Sequence, residues 1–238
     1  MKKNFKHILC IALVCCFILP CAILLSACGG DNAIYAGKNM TLQEAVNQAE
    51  AGSLIKLDSD IQLDAQVNVD KKITIDLCGH KISGEDIWNA STSEWSLISV
   101  KENGELIIKN GTVEAAENDC YAIDLRDGGK CIIESGNYIG NVHSIYVHAG
   151  ELTVNDGKFD IKQLSEVTND SRYTLNCFDS NYRNGTAKIT VKGGQYANYN
   201  PEGSTGENPV ANFLADGLKT EASAADSNGD VWYTVVAK

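Results

Sequence analysis

Positive charge is in short supply. The 238 residues carry 20 lysines and arginines against 31 aspartates and glutamates, a formal charge of −11. A surface of that sign repels nucleic acid and anionic headgroups and favours solubility, so no nucleic-acid partner is expected. Beyond residue 25 no apolar run is long enough to cross a membrane. There is no P-loop, no dinucleotide fingerprint in a strand–turn–helix setting and no HExxH. No serine or cysteine has a defined histidine and carboxylate beside it, so no nucleophilic triad can be argued. Cys78-Gly79-His80 lacks the paired spacing of a zinc site. No motif calls for a metal or a cofactor.

What is present begins at the N-terminus. Lys2, Lys3 and Lys6 precede an apolar run from Ile8 to Leu25, interrupted by Pro20. The run ends in Leu25-Ser26-Ala27-Cys28, with Gly29-Gly30-Asp31-Asn32 behind it. This is the tripartite form of a secretory signal. A cysteine directly after the small residues resembles the lipobox of a bacterial lipoprotein, whose thiol accepts a diacylglycerol before cleavage. The competing reading is a single N-terminal membrane anchor, since the run is almost long enough to span. On the lipobox reading, residues 1–27 are the signal peptide and 28–40 the lipidated Cys28 with a short tether. The first partner is then the membrane, through the diacylglyceryl group, at the outer face of the cytoplasmic membrane. Each buried methylene contributes about 0.8 kcal/mol, and two chains anchor stably. Cleavage removes three lysines and no acid, which takes the charge to about −14.

The rest of the chain repeats. "GELIIKNGTV" from Gly104, "GKCIIESGNY" from Gly129 and "GELTVNDGKF" from Gly150 share a skeleton in which a glycine is followed seven residues later by another. Between the glycines, alternate positions are apolar: Leu106 and Ile108, Cys131 and Ile133, Leu152 and Val154. That is strand periodicity. Two residues past the second glycine stand Val113, Tyr138 and Phe159, and upstream lie the short strands "LISV", "AIDL" and "SIYV". Degraded copies flank the three, "ITIDLCGHKI" from Ile73 and "AKITVKGGQY" ending at Tyr196. A unit of this size cannot bury its own apolar face, whereas stacked units can. The second glycine is expected to supply a positive φ. The outward column Asp76, Lys109, Glu134, Asn155, Lys192 reads as cross-strand pairs between neighbouring repeats.

The ends differ. Thr41-Leu42-Gln43-Glu44 has the pattern of a capping box, and Leu42, Ala45, Val46 and Ala49 follow helical spacing, with Gly52 as the stop. The chain resembles bacterial surface proteins with a right-handed parallel β-helix, the pectate-lyase-like fold. The stretches that carry the resemblance are "TLQEAVNQAEAGSLIKLDSDIQL", "KKITIDLCGHKISG", the rungs, and "GGQYANYNPEG…NFLADGL…VWYTVV". The resemblance implies an all-β, single-stranded right-handed parallel β-helix over 41–238, with a capping helix at 41–51 and a β cap over about 197–238. It also implies an extracytoplasmic protein, often acting on carbohydrate and sometimes only a surface or adhesive module. Of the cysteines that remain after cleavage, Cys78, Cys120, Cys131 and Cys177 are even in number and permit disulfides. Against pairing, Cys131 fills a slot held elsewhere by Leu106 and Leu152, which favours buried thiols.

Function is sought among outward residues on adjacent rungs. One outward column reads Ser99, Asp124, Tyr146, Asn176, and the next reads Lys101, Arg126, His148. Asp124, Arg126, Tyr146 and His148 would form a patch able to orient a sugar, or to stand as an ordinary solvated sheet face. Glycoside hydrolysis generally needs two opposed carboxylates and calcium chemistry a cluster of them. The patch holds only Asp124, so no residue is assigned a catalytic role. Trp88 and Trp95 bracket an inserted polar loop, either as a sugar-stacking surface or as a cover for the outward Ile107 and Ile132. The favoured reading is a non-enzymatic surface module binding glycan or another surface molecule, such as a protein. The alternatives are a polysaccharide lyase or glycoside hydrolase, and a structural spacer. Replacing Cys28 by serine is expected to abolish incorporation of labelled fatty acid and to shift the protein from the membrane fraction to the medium. A Cys28→Ser protein that stays in the membrane would instead identify the apolar run as an anchor.

Overall fold

A computed structural model describes residues 32–85, 87, 89, 91–92, 94–116, 121–162, 173–207 and 209–238. Cys28, Trp88 and Cys120 lie outside these residues. The chain divides into two units, Met1–Asp31 and Asn32–Lys238, and the account below concerns the second.

The unit is mostly β with long parallel sheets. It opens with β1 (Ile34–Ala36), α1 (Leu42–Gln48), β2 (Ser53–Leu57) and β3 (Ile61–Leu63). Then come five strand triplets: β4 (Val67–Val69), β5 (Lys72–Asp76) and β6 (Lys81–Gly84); β7 (Ser96–Val100), β8 (Glu105–Lys109) and β9 (Thr112–Glu114); β10 (Tyr121–Leu125), β11 (Gly129–Ile133) and β12 (Asn137–Gly140); β13 (His143–Val147), β14 (Gly150–Val154) and β15 (Lys158–Ile161); β16 (Leu175–Cys177), β17 (Ala187–Val191) and β18 (Gln195–Ala197). A helix α2 (Asp179–Asn184) lies between β16 and β17, and a hairpin of β19 (Leu218–Ala222) and β20 (Trp232–Ala237) follows. Each triplet places one strand in each of three sheets, always in the same cyclic order. The five-stranded sheet runs β4-β7-β10-β13-β16, the seven-stranded sheet β1-β2-β5-β8-β11-β14-β17, and the eight-stranded sheet β3-β6-β9-β12-β15-β18-β20-β19. Among the described strands only β20 pairs antiparallel, with β18 and β19.

Alternation explains the core. The register aligns Ile73, Leu106, Cys131, Leu152 and Ile189 in one column and Ile75, Ile108, Ile133, Val154 and Val191 in the next, all buried. Burying a side chain of this size contributes about 1.5–3 kcal/mol. In the eight-stranded sheet the inward column is aromatic. Tyr138 stacks on Phe159 at 5.4 Å between centroids, and Phe159 on Tyr196 at 4.9 Å. The two phenols, sealed from water, donate to carbonyls of their own turns: Tyr138 to Ser135 O at 2.9 Å and Tyr196 to Gly193 O at 3.0 Å. On the outer face of the seven-stranded sheet, Lys72, Glu105, Lys130, Glu151 and Lys188 stand in register with alternating sign. Ion pairs link Lys72 to Glu105 at 2.6 Å, Lys130 to Glu151 at 3.4 Å and Lys188 to Glu151 at 3.7 Å. Lys109 pairs with Asp76 at 3.6 Å in the parallel column.

Glycine is required at the corners by close approach. A Cβ on Gly129 would sit 2.2 Å from Val100 O, and one on Gly150 would sit 2.1 Å from Gly129 O, both in the preceding circuit. The second glycine of the repeat takes a positive φ at Gly136 and Gly157 but not at Gly111, where Asn110 carries the turn at φ 61. Gly111 is nonetheless needed, since its Cβ would meet His80 O at 2.4 Å.

Three further expectations are corrected. Ile34–Ala36, placed in a tether over 28–40, pairs parallel with β2 as β1, so the folded unit takes in residues ahead of 41. The helix expected over 41–51 has the capping box at Thr41 and Glu44 but ends at Gln48, with Ala49 extended. Cys78 is exposed, because it occupies a left-handed turn position at φ 51, whereas Cys131 and Cys177 are buried free thiols. Gly129→Ala is expected to lose on the order of 3 kcal/mol in urea unfolding. Gly203→Ala, with nothing within 4 Å of the added Cβ, should stay within about 0.5 kcal/mol.

Candidate functional site

The outer face of the five-stranded sheet carries the residues singled out in the sequence. Its register sets Asn68, Ser99, Asp124, Tyr146 and Asn176 side by side, as the column reading predicts. The column is not an open surface, however. Ser99 and Asp124 are wholly buried. A lone buried carboxylate is costly, and three strands cooperate to satisfy this one. Gln66, just ahead of β4, donates to Ser96 Oγ at 3.0 Å and to Ser96 O at 3.1 Å. Ser96 Oγ donates to Asp124 Oδ1 at 3.0 Å, and Arg126 Nε donates to Asp124 Oδ2 at 2.5 Å. Asp124 is therefore an internal anchor for Arg126, whose side chain is 18% exposed, rather than a group that meets a ligand.

Tyr146 sits in an aromatic stack the sequence reading missed. Its ring lies 4.8 Å from Tyr121 and 5.7 Å from His143, which in turn lies 5.5 Å from Tyr121. His143 Nδ1–H donates to Tyr173 O at 2.8 Å, and its Nε2 accepts from Asn176 Nδ2 at 3.0 Å. Both ring nitrogens of the neutral tautomer are thus used. Burial pushes the imidazole down to about 4, with the Tyr173 carbonyl opposing. Burial likewise pushes the Tyr146 phenol up to about 12. Near neutral pH neither group exchanges a proton readily.

His148 lies in the adjoining outward position and stacks on Phe178, centroids 5.1 Å apart and planes at 20°. Phe178 is 43% exposed and immediately precedes α2. Asn181 of α2 donates to His148 O at 2.6 Å, fixing the helix against this corner. Asp179 begins α2 and pairs with Arg183 at 3.5 Å. Glu207 arrives from the loop before β19. It is 3% exposed, its Oε1 accepts from Cys177 N at 3.0 Å, and its Oε2 has no partner among the described residues. Burial raises its pKa, Asp179 adds to the rise, and the Cys177 amide opposes it.

Trp95 is half-buried ahead of β7, where its carbonyl accepts from Tyr121 N at 2.9 Å. That puts it at the start of an interior strand of the five-stranded sheet, whereas Ile107 and Ile132 belong to the seven-stranded one. Trp88 lies outside the described residues. The structure therefore brings Arg126, Tyr146 and His148 together, adds Phe178 and Asp179, and withdraws Asp124 from the surface. Phe178, Asp179 and Glu207 had no signal in the repeats, since each belongs to a segment that interrupts them. Among the described residues no helix is long and apolar enough to cross a membrane, and no group of three His, Cys, Asp or Glu side chains is placed to hold a metal ion.

Comparison of the chain with protein families, with curated proteins and with solved structures finds no match.

The pH dependence of stability tests the His143 environment. Its folded pKa lies below the ordinary 6.5, so the unfolded chain binds the proton more readily. The contribution is complete above about pH 6.5 and is lost as pH falls toward 4, a change on the order of 3 kcal/mol. In urea unfolding at stepped pH, His143→Phe is expected to be less stable at pH 7 and to show a flatter profile between pH 7 and 4.

Proposed function

We propose that the chain is an exported, lipid-anchored surface protein whose folded unit is a right-handed parallel β-helix, and that it acts as a non-enzymatic module binding glycan. The cyclic visit to three sheets supports the helical reading, and parallel crossovers are right-handed in nearly every case. In this reading α1 closes the first circuit and the β19–β20 hairpin closes the last. The lipobox at Cys28 and the acidic, soluble surface support placement outside the cytoplasmic membrane. The likeness of the rungs and end segments to pectate-lyase-like surface proteins points the same way.

One observation carries the binding function: an exposed Phe178 ring stacked on His148, beside an arginine held from behind by a buried carboxylate. An aromatic face takes the apolar side of a sugar ring, and a guanidinium held through Nε can still offer its Nη donors to hydroxyl or carboxylate oxygens. Phe178 and Arg126 are poised for this without any movement of Asp124. Catalysis is disfavoured by the same geometry, because Asp124 is buried and already bonded by Ser96 and Arg126, Asp179 is paired with Arg183, and burial holds Tyr146 and His143 neutral.

The test is a glycan array probed with the purified protein, scored for retained glycans and for released fragments. Phe178→Ala is expected to weaken retention about tenfold, some 1.4 kcal/mol, with its melting temperature little changed. Fragment release would replace this reading with a lyase or hydrolase. Silence across the array would favour a structural role or a protein partner.

A further inference from the structure

We infer a second recognition site, remote in sequence from the Arg126 face: a groove across β12, β15, β18 and β20 that takes an uncharged, hydroxyl-rich ligand of two or three sugar rings. It extends the glycan reading to a different surface, and the two can fail separately.

The groove is open and shallow, with a volume of about 600 Å3, and Asn137, Asp156, Lys158, Gln195, Thr234 and Val235 line it over a floor of glycine. Its floor is bare backbone for a structural reason. A Cβ on Gly136 would lie 2.8 Å from Gly111 O, one on Gly157 3.1 Å from Gly136 O, and one on Gly194 2.9 Å from Gly157 O. All three glycines also take a positive φ, so a side chain is disfavoured at each and the floor stays bare. Along one side, Asn137, Lys158, Gln195 and Thr234 stand in register on successive strands. They face outward because Tyr138, Phe159 and Tyr196 occupy the inward positions next to them. Strand spacing repeats this polar column about every 4.8 Å, so an extended ligand meets a new side chain at each step.

The lining also selects the class of ligand. Its two charges, Lys158 and Asp156, are exposed and opposite in sign, so the lining carries no net charge. Lys158 Nζ lies 5.9 Å from the centre of the Trp232 ring, and Asp156 Oδ1 accepts from Gly157 N at 2.7 Å. What remains is amide and hydroxyl, groups that both donate and accept and so match ligand hydroxyls. Two of them make only long bonds, Asn137 Nδ2 to Thr112 Oγ1 and Gln195 Nε2 to Thr234 Oγ1, each at 3.4 Å. Bonds of that length are beyond the usual range for N–H···O and are readily exchanged for ligand oxygens. Lys158 is the one cation in the lining and Asp156 offsets it, so an anion gains no net attraction here. A peptide finds no apolar pocket for its side chains, since Val235 is the one aliphatic residue in the lining.

The experiment is isothermal titration of the purified full chain with cellotriose, maltotriose and triacetylchitotriose, and with trigalacturonate and tetraglycine as charged and peptide arms. Binding of at least one neutral trisaccharide is expected, weakened tenfold or more by Asn137→Ala and by Gln195→Glu and unchanged by Phe178→Ala. Thermal melts of the variants check that each remains folded. Absence of binding by all three neutral sugars overturns the inference. So does binding that is lost in Phe178→Ala but kept in Gln195→Glu, which would assign the sugar to the Arg126 face alone. Tighter binding of trigalacturonate or tetraglycine than of any neutral sugar overturns it as well.

Discussion

The whole arrangement depends on how closely one circuit of backbone lies over the one before. Where Gly129 crosses Val100, or Gly150 crosses Gly129, the carbonyl below occupies the space a Cβ would need. Parallel ladders fix the separation of adjacent strands near 4.8 Å, and at the corners the chain has no slack to bow outward. Glycine there is a steric necessity, and the constraint propagates. It sets the interval between repeats, aligns the inward columns, and leaves the bare floor of the groove beside Asn137 and Gln195.

A stack of parallel strands must end somewhere, and each end exposes unpaired peptide groups that invite another chain. This molecule satisfies several of them with side chains. Gln43 of α1 acts as a surrogate peptide on β4, its Oε1 accepting from Asn68 N at 2.7 Å and its Nε2 reaching Asn68 O at 3.4 Å. At the opposite edge of the same sheet Glu207 accepts from Cys177 N. Glu202 accepts from Thr220 N on β19 at 2.9 Å. The last strand of the seven-stranded sheet is met by backbone instead, Val191 N donating to Phe213 O at 2.7 Å and Ala215 N to Val191 O at 2.8 Å. Burial raises the pKa of Glu207 and its bond from the Cys177 amide works against the rise, so the carboxyl serves as a terminal acceptor at an electrostatic cost.

Much of this was legible in the chain itself. Alternation in "GELIIKN" and its relatives reports which side chains enter the core, because a strand has only two faces. The same pattern yields the register, and so sets Ser99, Asp124, Tyr146 and Asn176 in one column. Periodicity is silent about what lies over an outward face, which is why Asp124 read as a surface carboxylate and proved to be an anchor. It is equally silent where the repeat is interrupted. Ile34-Tyr35-Ala36 is too short to show alternation, and Phe178, Asp179 and Glu207 stand in connecting segments whose placement is decided by tertiary packing. The Thr41–Glu44 capping box was readable because its chemistry is local, whereas the end of α1 at Gln48 answers to the strands it packs against.

The alternating ladder of Lys72, Glu105, Lys130, Glu151 and Lys188 bears on how such a chain can change length. Removing or duplicating one circuit would bring lysine beside lysine or glutamate beside glutamate across the new junction. Removing or adding two would restore the alternation. The pairs are exposed and each is worth little, so the effect is a bias of tenths of a kcal/mol per junction. It nonetheless gives the molecule a parity: growth or shortening by whole pairs of circuits leaves the electrostatic pattern intact, and single steps call for a compensating charge reversal.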